Sequence, residues 1–179
     1  MIKVPWKHAF YVGGFLAALC GVLGLVIAGG DLLTRNTIAA NKVKKEQDGL
    51  KKVYGDNAEF SEAVEVKDDA YASIGKYWTV KIQGDEVGRV YSTSSTNSYG
   101  TVSLLVGVNK NYSLGNIVVL ENTESYAATL EEKYLDVYKN AEDKESVVDN
   151  VKCGATFGAS MCRDMVKAAQ NHYKGGDAK

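Results

Sequence analysis

Hydrophobic positions change their spacing three times along this chain. From Ala9 to Gly30 the sequence is apolar and carries no charged residue. At about 1.5 Å per residue such a helix reaches roughly 30 Å, the thickness of a bilayer core. Pro5, Trp6, Lys7 and His8 precede it as an interfacial collar, with Trp6 and Tyr11 at headgroup level. From Asp31 to Lys52, Leu32, Leu33, Ile38, Val43 and Leu50 recur at helical spacing among polar residues. This predicts a helix leaving the membrane as a stalk or a packing helix.

From about Tyr71 the period falls to two. Tyr77–Gln83 and Val87–Thr93 flank Gly84-Asp85-Glu86, a hairpin turn. Thr101–Asn109 and Asn116–Glu121 flank a second turn carrying Asn111, Ser113 and Gly115. The connections are too short for crossovers, so the strands are expected to be antiparallel. Ser92–Ser98, a run of Ser, Thr and Asn, reads as a surface loop. Helical spacing returns at Ala127–Asn140, where Leu130, Tyr134, Leu135 and Tyr138 share a face. A polar segment, Glu142–Lys152, then leads to a last helix over about Phe157–Tyr173. Its stripe of Met161, Met165, Ala168, Ala169 and His172 reads as core.

These elements predict an α+β fold: a small antiparallel sheet with packed helices, preceded by one transmembrane helix. The expected division is a tail over 1–8, the span over 9–30, a connecting region over 31–70 and the α+β domain over 71–175.

Composition narrows the functional classes. The chain has 179 residues, a formal net charge of −1 and 24% charged residues, so it offers no basic footprint for nucleic acid. Its three cysteines are scattered and make neither a disulfide framework nor a structural zinc site. The two histidines, His8 and His172, stand at opposite ends, which disfavours a Ser/His or Cys/His catalytic group. The apolar run is longer than the roughly 7–15 residues of a cleavable signal, which favours an uncleaved anchor. Leu16–Cys20 is a poor lipoprotein signal, because Leu19 is bulky and apolar residues follow the cysteine. Lys3 and Lys7 precede the span and Arg35, Lys42, Lys44 and Lys45 follow it. This count leans toward a cytoplasmic C-terminal domain, whereas so short an N-terminal tail commonly stays inside, and the residues leave both orientations open.

The candidate chemistry lies in Cys153-Gly154-Ala155-Thr156, a turn of small residues opening the last helix. Free N–H groups and the macrodipole at a helix N-terminus favour an anion such as phosphate. Gly154 and Ala155 remove bulk there, and Thr156 adds a hydroxyl. That hydroxyl either caps the helix, worth about 1 kcal/mol, or binds or bears the anion.

The whole arrangement resembles the FMN-binding domain of two related subunits. One is the G subunit of Rnf-type ferredoxin:NAD oxidoreductases; the other is the C subunit of sodium-pumping NADH:quinone oxidoreductases. The resemblance covers most of the chain, in the same order. It includes the anchor, the polar helix, the strand Tyr99–Val108, the strand Ile117–Leu120 with Glu121–Ser125 after it, and Cys153-Gly154-Ala155-Thr156 opening the last helix. The family has serine or threonine where Cys153 stands, and an acidic residue commonly at the place of Asn150.

The resemblance implies a covalent FMN on Thr156, placed there by a separate flavin transferase, with Cys153, Gly154 and Ala155 forming its motif. Glu124, with Ser125, would lie near the cofactor, and Phe157, Tyr126 or Leu104 could line the ring. It also implies a single-pass protein of the cell (inner) membrane with an extracytoplasmic domain. Such a protein carries electrons beside other membrane subunits of an ion-translocating complex, rather than acting as a stand-alone enzyme. Two alternatives remain: a flavin-free structural subunit, and a membrane-tethered thiol oxidoreductase using Cys153 and Cys162.

Overall fold

The computed structural model describes residues 6–176. The expected tail therefore falls largely outside the described residues, Pro5 included, as do the side chains of His8, Leu32, Leu33 and Arg35. The chain divides into two compact units, Met1–Lys44 and Lys45–Lys179. One helix, α1 (Trp6–Tyr54), provides the first unit's described residues and opens the second. Its segment Phe10–Ile27 is long and apolar enough to cross a membrane. Phe10, Tyr11, Leu25 and Ile27 are each 72% exposed or more. Ile38 and Val43, expected on a common stripe, are both 53% exposed. The helix ends at Gly55, whose φ of 93° lets its N–H turn back onto Lys51 O at 2.7 Å.

The second unit is α+β. Six strands make one antiparallel sheet: β1 (Glu59–Phe60), β2 (Val64–Glu65), β3 (Ile74–Ile82), β4 (Asp85–Asn97), β5 (Gly100–Asn109) and β6 (Leu114–Asn122). Their order is β1-β3-β4-β5-β6, with β2 also on β3. Both short strands, and the last turns of α1, come from residues expected to form the connecting region. The first hairpin turns on Gln83 and Gly84, both at positive φ (54° and 89°), which matches the right-handed twist of the strands. Asp85 and Glu86, expected in that turn, belong to β4.

The Ser92–Ser98 run is not a loop. β4 continues through Asn97, paired in register with β5 from Ser92↔Leu105 to Asn97↔Gly100. Facing hydroxyls make that hairpin end: Ser94 with Ser103 at 2.9 Å and Thr96 with Thr101 at 2.8 Å. Cross-strand hydroxyl pairs stabilise exposed sheet without apolar alternation, so polarity alone misassigned the segment.

Each face of the sheet has its own apolar cluster. Leu50 and Val53, from the last turns of α1, pack with Trp78, Val80, Val90 and Leu105. Gly49 allows that approach, since a Cβ there would stand 2.7 Å from Leu105. On the opposite face Tyr91, Val102, Leu104 and Val106 meet the final helix, α5 (Thr156–Gly176), through Met161, Cys162, Met165 and Ala169. Leu130, Tyr134, Leu135 and Tyr138 join this core from α2 (Ala127–Leu130), a single π turn (Glu131–Leu135) and α3 (Asp136–Asn140). A short helix, α4 (Lys144–Val148), follows, and its N-cap Asp143 accepts from Glu145 N and Ser146 N. β5 is an interior strand covered on both sides, which explains its nearly continuous apolar sequence.

Candidate functional site

The site is built where three segments meet: the β4–β5 turn, the loop after β6, and the turn into α5. The loop is tied first. Asn122 Oδ1 accepts from Glu124 N at 3.2 Å, while Asn122 Nδ2 donates to Glu131 Oε1 at 3.0 Å. Ser125 then donates twice to Tyr99 O, from its backbone N at 2.8 Å and its Oγ at 3.1 Å. Gly100 permits this closeness, because a Cβ there would strike the Thr123 carbonyl. The outcome fixes Tyr99 beside residues 124–126.

Glu124 is the only charged side chain buried among the described residues, at 4% exposure. The solvated loop carboxylate expected of an ordinary Glu is therefore not what this residue is. Its Oε2 accepts from Tyr126 N at 2.9 Å. Its Oε1 occupies the space that a side chain at Gly158 would need, 2.7 Å from where that Cβ would stand. Gly158 thus lets the first turn of α5 come down onto the carboxylate. Free N–H groups at that end of the helix favour a negative charge there.

The turn into α5 follows from Gly154, whose φ of 90° suits glycine. Ala155 is buried and its carbonyl accepts from Ala159 N at 2.9 Å, so Ala155 holds the capping position. Thr156 is the first helical residue and is exposed. Its hydroxyl is therefore not the N-cap, and the capping role expected as the simpler alternative does not apply.

A cavity of about 210 Å³ opens at this hydroxyl. Gly154, Ala155, Thr156 and Phe157 form one side, and Tyr99, Glu124 and Tyr126 the other. Its rings are open to solvent: Tyr99 is 39% exposed, Tyr126 55% and Phe157 68%. Tyr99 stacks on Phe157 at 5.5 Å between centroids and lies 6.1 Å from Tyr126. An anion here would be opposed by Glu124 and favoured by the N–H groups of α5.

The structure thus gathers Gly154, Ala155, Thr156, Phe157, Glu124 and Tyr126 from the sequence expectation around one cavity. Ser125 stands beside it as the clamp on Tyr99. Leu104 is not in the lining: it is fully buried in the core beneath α5, because alternation along β5 turns it inward. Tyr99, Asn122 and Gly158 were not singled out. Tyr99 could have been suspected from its place before Gly100 at a two-residue hairpin turn; the other two give no sequence signal.

Cys153 and Cys162 are both free thiols. Cys162 is fully buried, and burial, with Glu124 and Cys153 adding to the rise, pushes its thiol up to about 12. Exchange requires a thiolate, so Cys162 is poorly suited to attack. Cys153 packs half-buried against the core. Asp149, near the place where the resemblance expects an acid, is held by Lys167 Nζ at 2.6 and 2.8 Å and does not line the cavity.

Neither a family model nor a curated protein matches this sequence.

Proposed function

We propose that this chain is a membrane-anchored electron carrier bearing covalent FMN through a phosphoester on Thr156. In this reading it serves as a subunit of an Rnf-type ion-translocating complex, with its α+β unit outside the cytoplasm. The supporting observation is an exposed threonine hydroxyl, not used as a cap, that opens into a cavity walled by small residues and exposed rings. The resemblance of the anchor, strands and Cys153–Thr156 turn to the FMN-binding domain supplies the cofactor's identity.

The residues divide the work. Thr156 Oγ1 supplies the oxygen of the new P–O bond when a flavin transferase acts on FAD. Its proton passes to solvent, the pyrophosphate bond breaks and AMP leaves. Gly154 and Ala155 leave room for the phosphodiester, and the first N–H groups of α5 stabilise its charge. Glu124 braces the loop that carries Tyr126 and, through Ser125, Tyr99. The flavin supplies one- and two-electron chemistry, while the chain supplies position and electrostatics.

The test is a denaturing gel viewed under ultraviolet light, with protein from cells that make a flavin transferase. A fluorescent band is expected, and Thr156→Val should remove it completely. Because Ala155 holds the cap position, that variant should keep its stability within about 0.5 kcal/mol. A wild-type protein without the band would overturn the reading. Protease treatment of spheroplasts checks the sidedness: the α+β unit should be cut, and protection would place it in the cytoplasm.

A further inference from the structure

Thr156 and Glu124 line one cavity of about 210 Å³, although one opens α5 and the other sits in the loop after β6. Asn122 and the Ser125–Tyr99 clamp fix that loop in place. Glu124 is 4% exposed, and burying a carboxylate is unfavourable unless its oxygens are satisfied. Its Oε2 accepts from Tyr126 N at 2.9 Å. Its Oε1 lies elsewhere, 2.7 Å from where a Cβ on Gly158 would stand, against the first turn of α5. The carboxylate thus ties one oxygen to its own loop and sets the other against the helix end that Thr156 opens.

We propose that Glu124 Oε1 is the group that takes the proton of Thr156 Oγ1 when that hydroxyl is modified, before the proton passes to solvent. This role rests on the reading above, in which Thr156 receives FMN from FAD. In the step, the Thr156 O–H bond breaks and its proton moves to Glu124 Oε1 as Oγ1 forms its bond to phosphorus. The pyrophosphate bond breaks and its electron pair leaves on AMP. Among the described residues that line the cavity, Glu124 is the only carboxylate and none is a histidine. Asp149, the acid just before this turn, is paired with Lys167 instead.

Charge favours the same assignment. A carboxylate and a phosphodiester held in one small cavity repel each other more than they would in bulk water. By accepting the proton, Glu124 becomes neutral as the phosphodiester's charge is fixed beside it. The N–H groups at the start of α5 then face one anion rather than two.

The test follows flavinylation by the fluorescent gel band, with full-length protein in detergent, a purified flavin transferase and FAD. Glu124→Gln keeps a carbonyl oxygen for Tyr126 N but cannot take the proton. Its kcat should fall about a hundredfold, the usual scale for a lost general base, with KM for the chain unchanged. Glu124→Ala should be as slow, and added formate, a carboxylate small enough for the vacated space, should restore part of its rate. Formate should do nothing for Thr156→Val. Thermal melting checks that each variant is folded. Glu124→Gln modified at the wild-type rate overturns the proposal and leaves Thr156 as the attachment point. A loss carried by KM alone, or one that formate leaves untouched, reduces Glu124 to a brace of its loop and overturns it too. No band on the wild-type protein sinks the attachment and this role together.

Discussion

Toward the C-terminal end of α5, His172 is ringed by Tyr71, Tyr77 and Tyr91, with centroids at 5.1, 5.7 and 5.5 Å. Tyr91 Oη is hydrogen-bonded to His172 Nδ1 at 3.3 Å, and Arg89 lies over Tyr77 and Tyr173 at 5.2 and 4.1 Å. At the opposite end of the same helix, Tyr99, Tyr126 and Phe157 surround Thr156. They stay exposed, and Thr156 is exposed too. Both ends gather aromatic rings around a polar side chain. At the His172 end Tyr91 is fully buried and hydrogen-bonded to the ring it surrounds, while at the Thr156 end all three rings keep 39% or more of their surface exposed. The two ends thus differ in how much aromatic surface each leaves exposed.

Substitutions should separate the two ends sharply. Tyr91→Ala empties a fully buried position and should cost about 3–5 kcal/mol. The change can be followed in urea through Trp78, which is 6% exposed in the core of the α+β unit. A loss under about 1 kcal/mol would mean that the His172 end is not the packed end. Gly158→Ala comes next, because its Cβ would meet Glu124 Oε1 at 2.7 Å and Leu130 at 3.0 Å. Overpacking of this kind costs about 1–3 kcal/mol. Pairing it with Glu124→Ala should recover part of the loss; no recovery would show that the carboxylate is not what Gly158 accommodates.

A smaller effect concerns pH. His172 has its pKa lowered from 6.5, chiefly by burial and secondarily by Arg89, with Asp68 opposing. The unfolded chain therefore takes up this proton first as pH falls. The histidine's contribution is fully present above about 6.5 and is lost as pH falls through the lower folded-state value. Urea midpoints should decline over that range, and His172→Gln should flatten the decline. An unchanged slope would remove His172 as its source. Smallest of all, Phe157→Ala removes a ring that is 68% exposed and should change stability by less than about 0.5 kcal/mol. A loss above about 1 kcal/mol would make the Tyr99–Phe157 stack a structural element, like the His172 cluster, and erase the contrast.

Much of the α+β architecture was legible because its signals are local. Period-two runs marked the main lengths of β3 to β6, and short connections dictated antiparallel pairing. The Met161 and Met165 stripe read as core, and both are buried. β1 and β2 escaped because two-residue strands carry no period. The Ser92–Ser98 end of β4 escaped because hydroxyl pairs, rather than apolar alternation, hold it. At the site, Thr156 and its small neighbours were visible as a motif. Leu104 was misplaced because chain order does not say which strand face looks toward a cavity.

The sequence by itself determined an apolar helix long enough for a bilayer, the α+β class and the small-residue turn before α5. Each depends on residues that are close along the chain, where hydropathy, periodicity and backbone preference act. Only the tertiary structure decided that Glu124 is buried against Gly158, that Tyr99 stacks on Phe157, and that Ala155 rather than Thr156 holds the cap. Those facts depend on how the β4–β5 turn and the loop after β6 close over the start of α5. That closure is set by long-range packing and register, which no local pattern encodes.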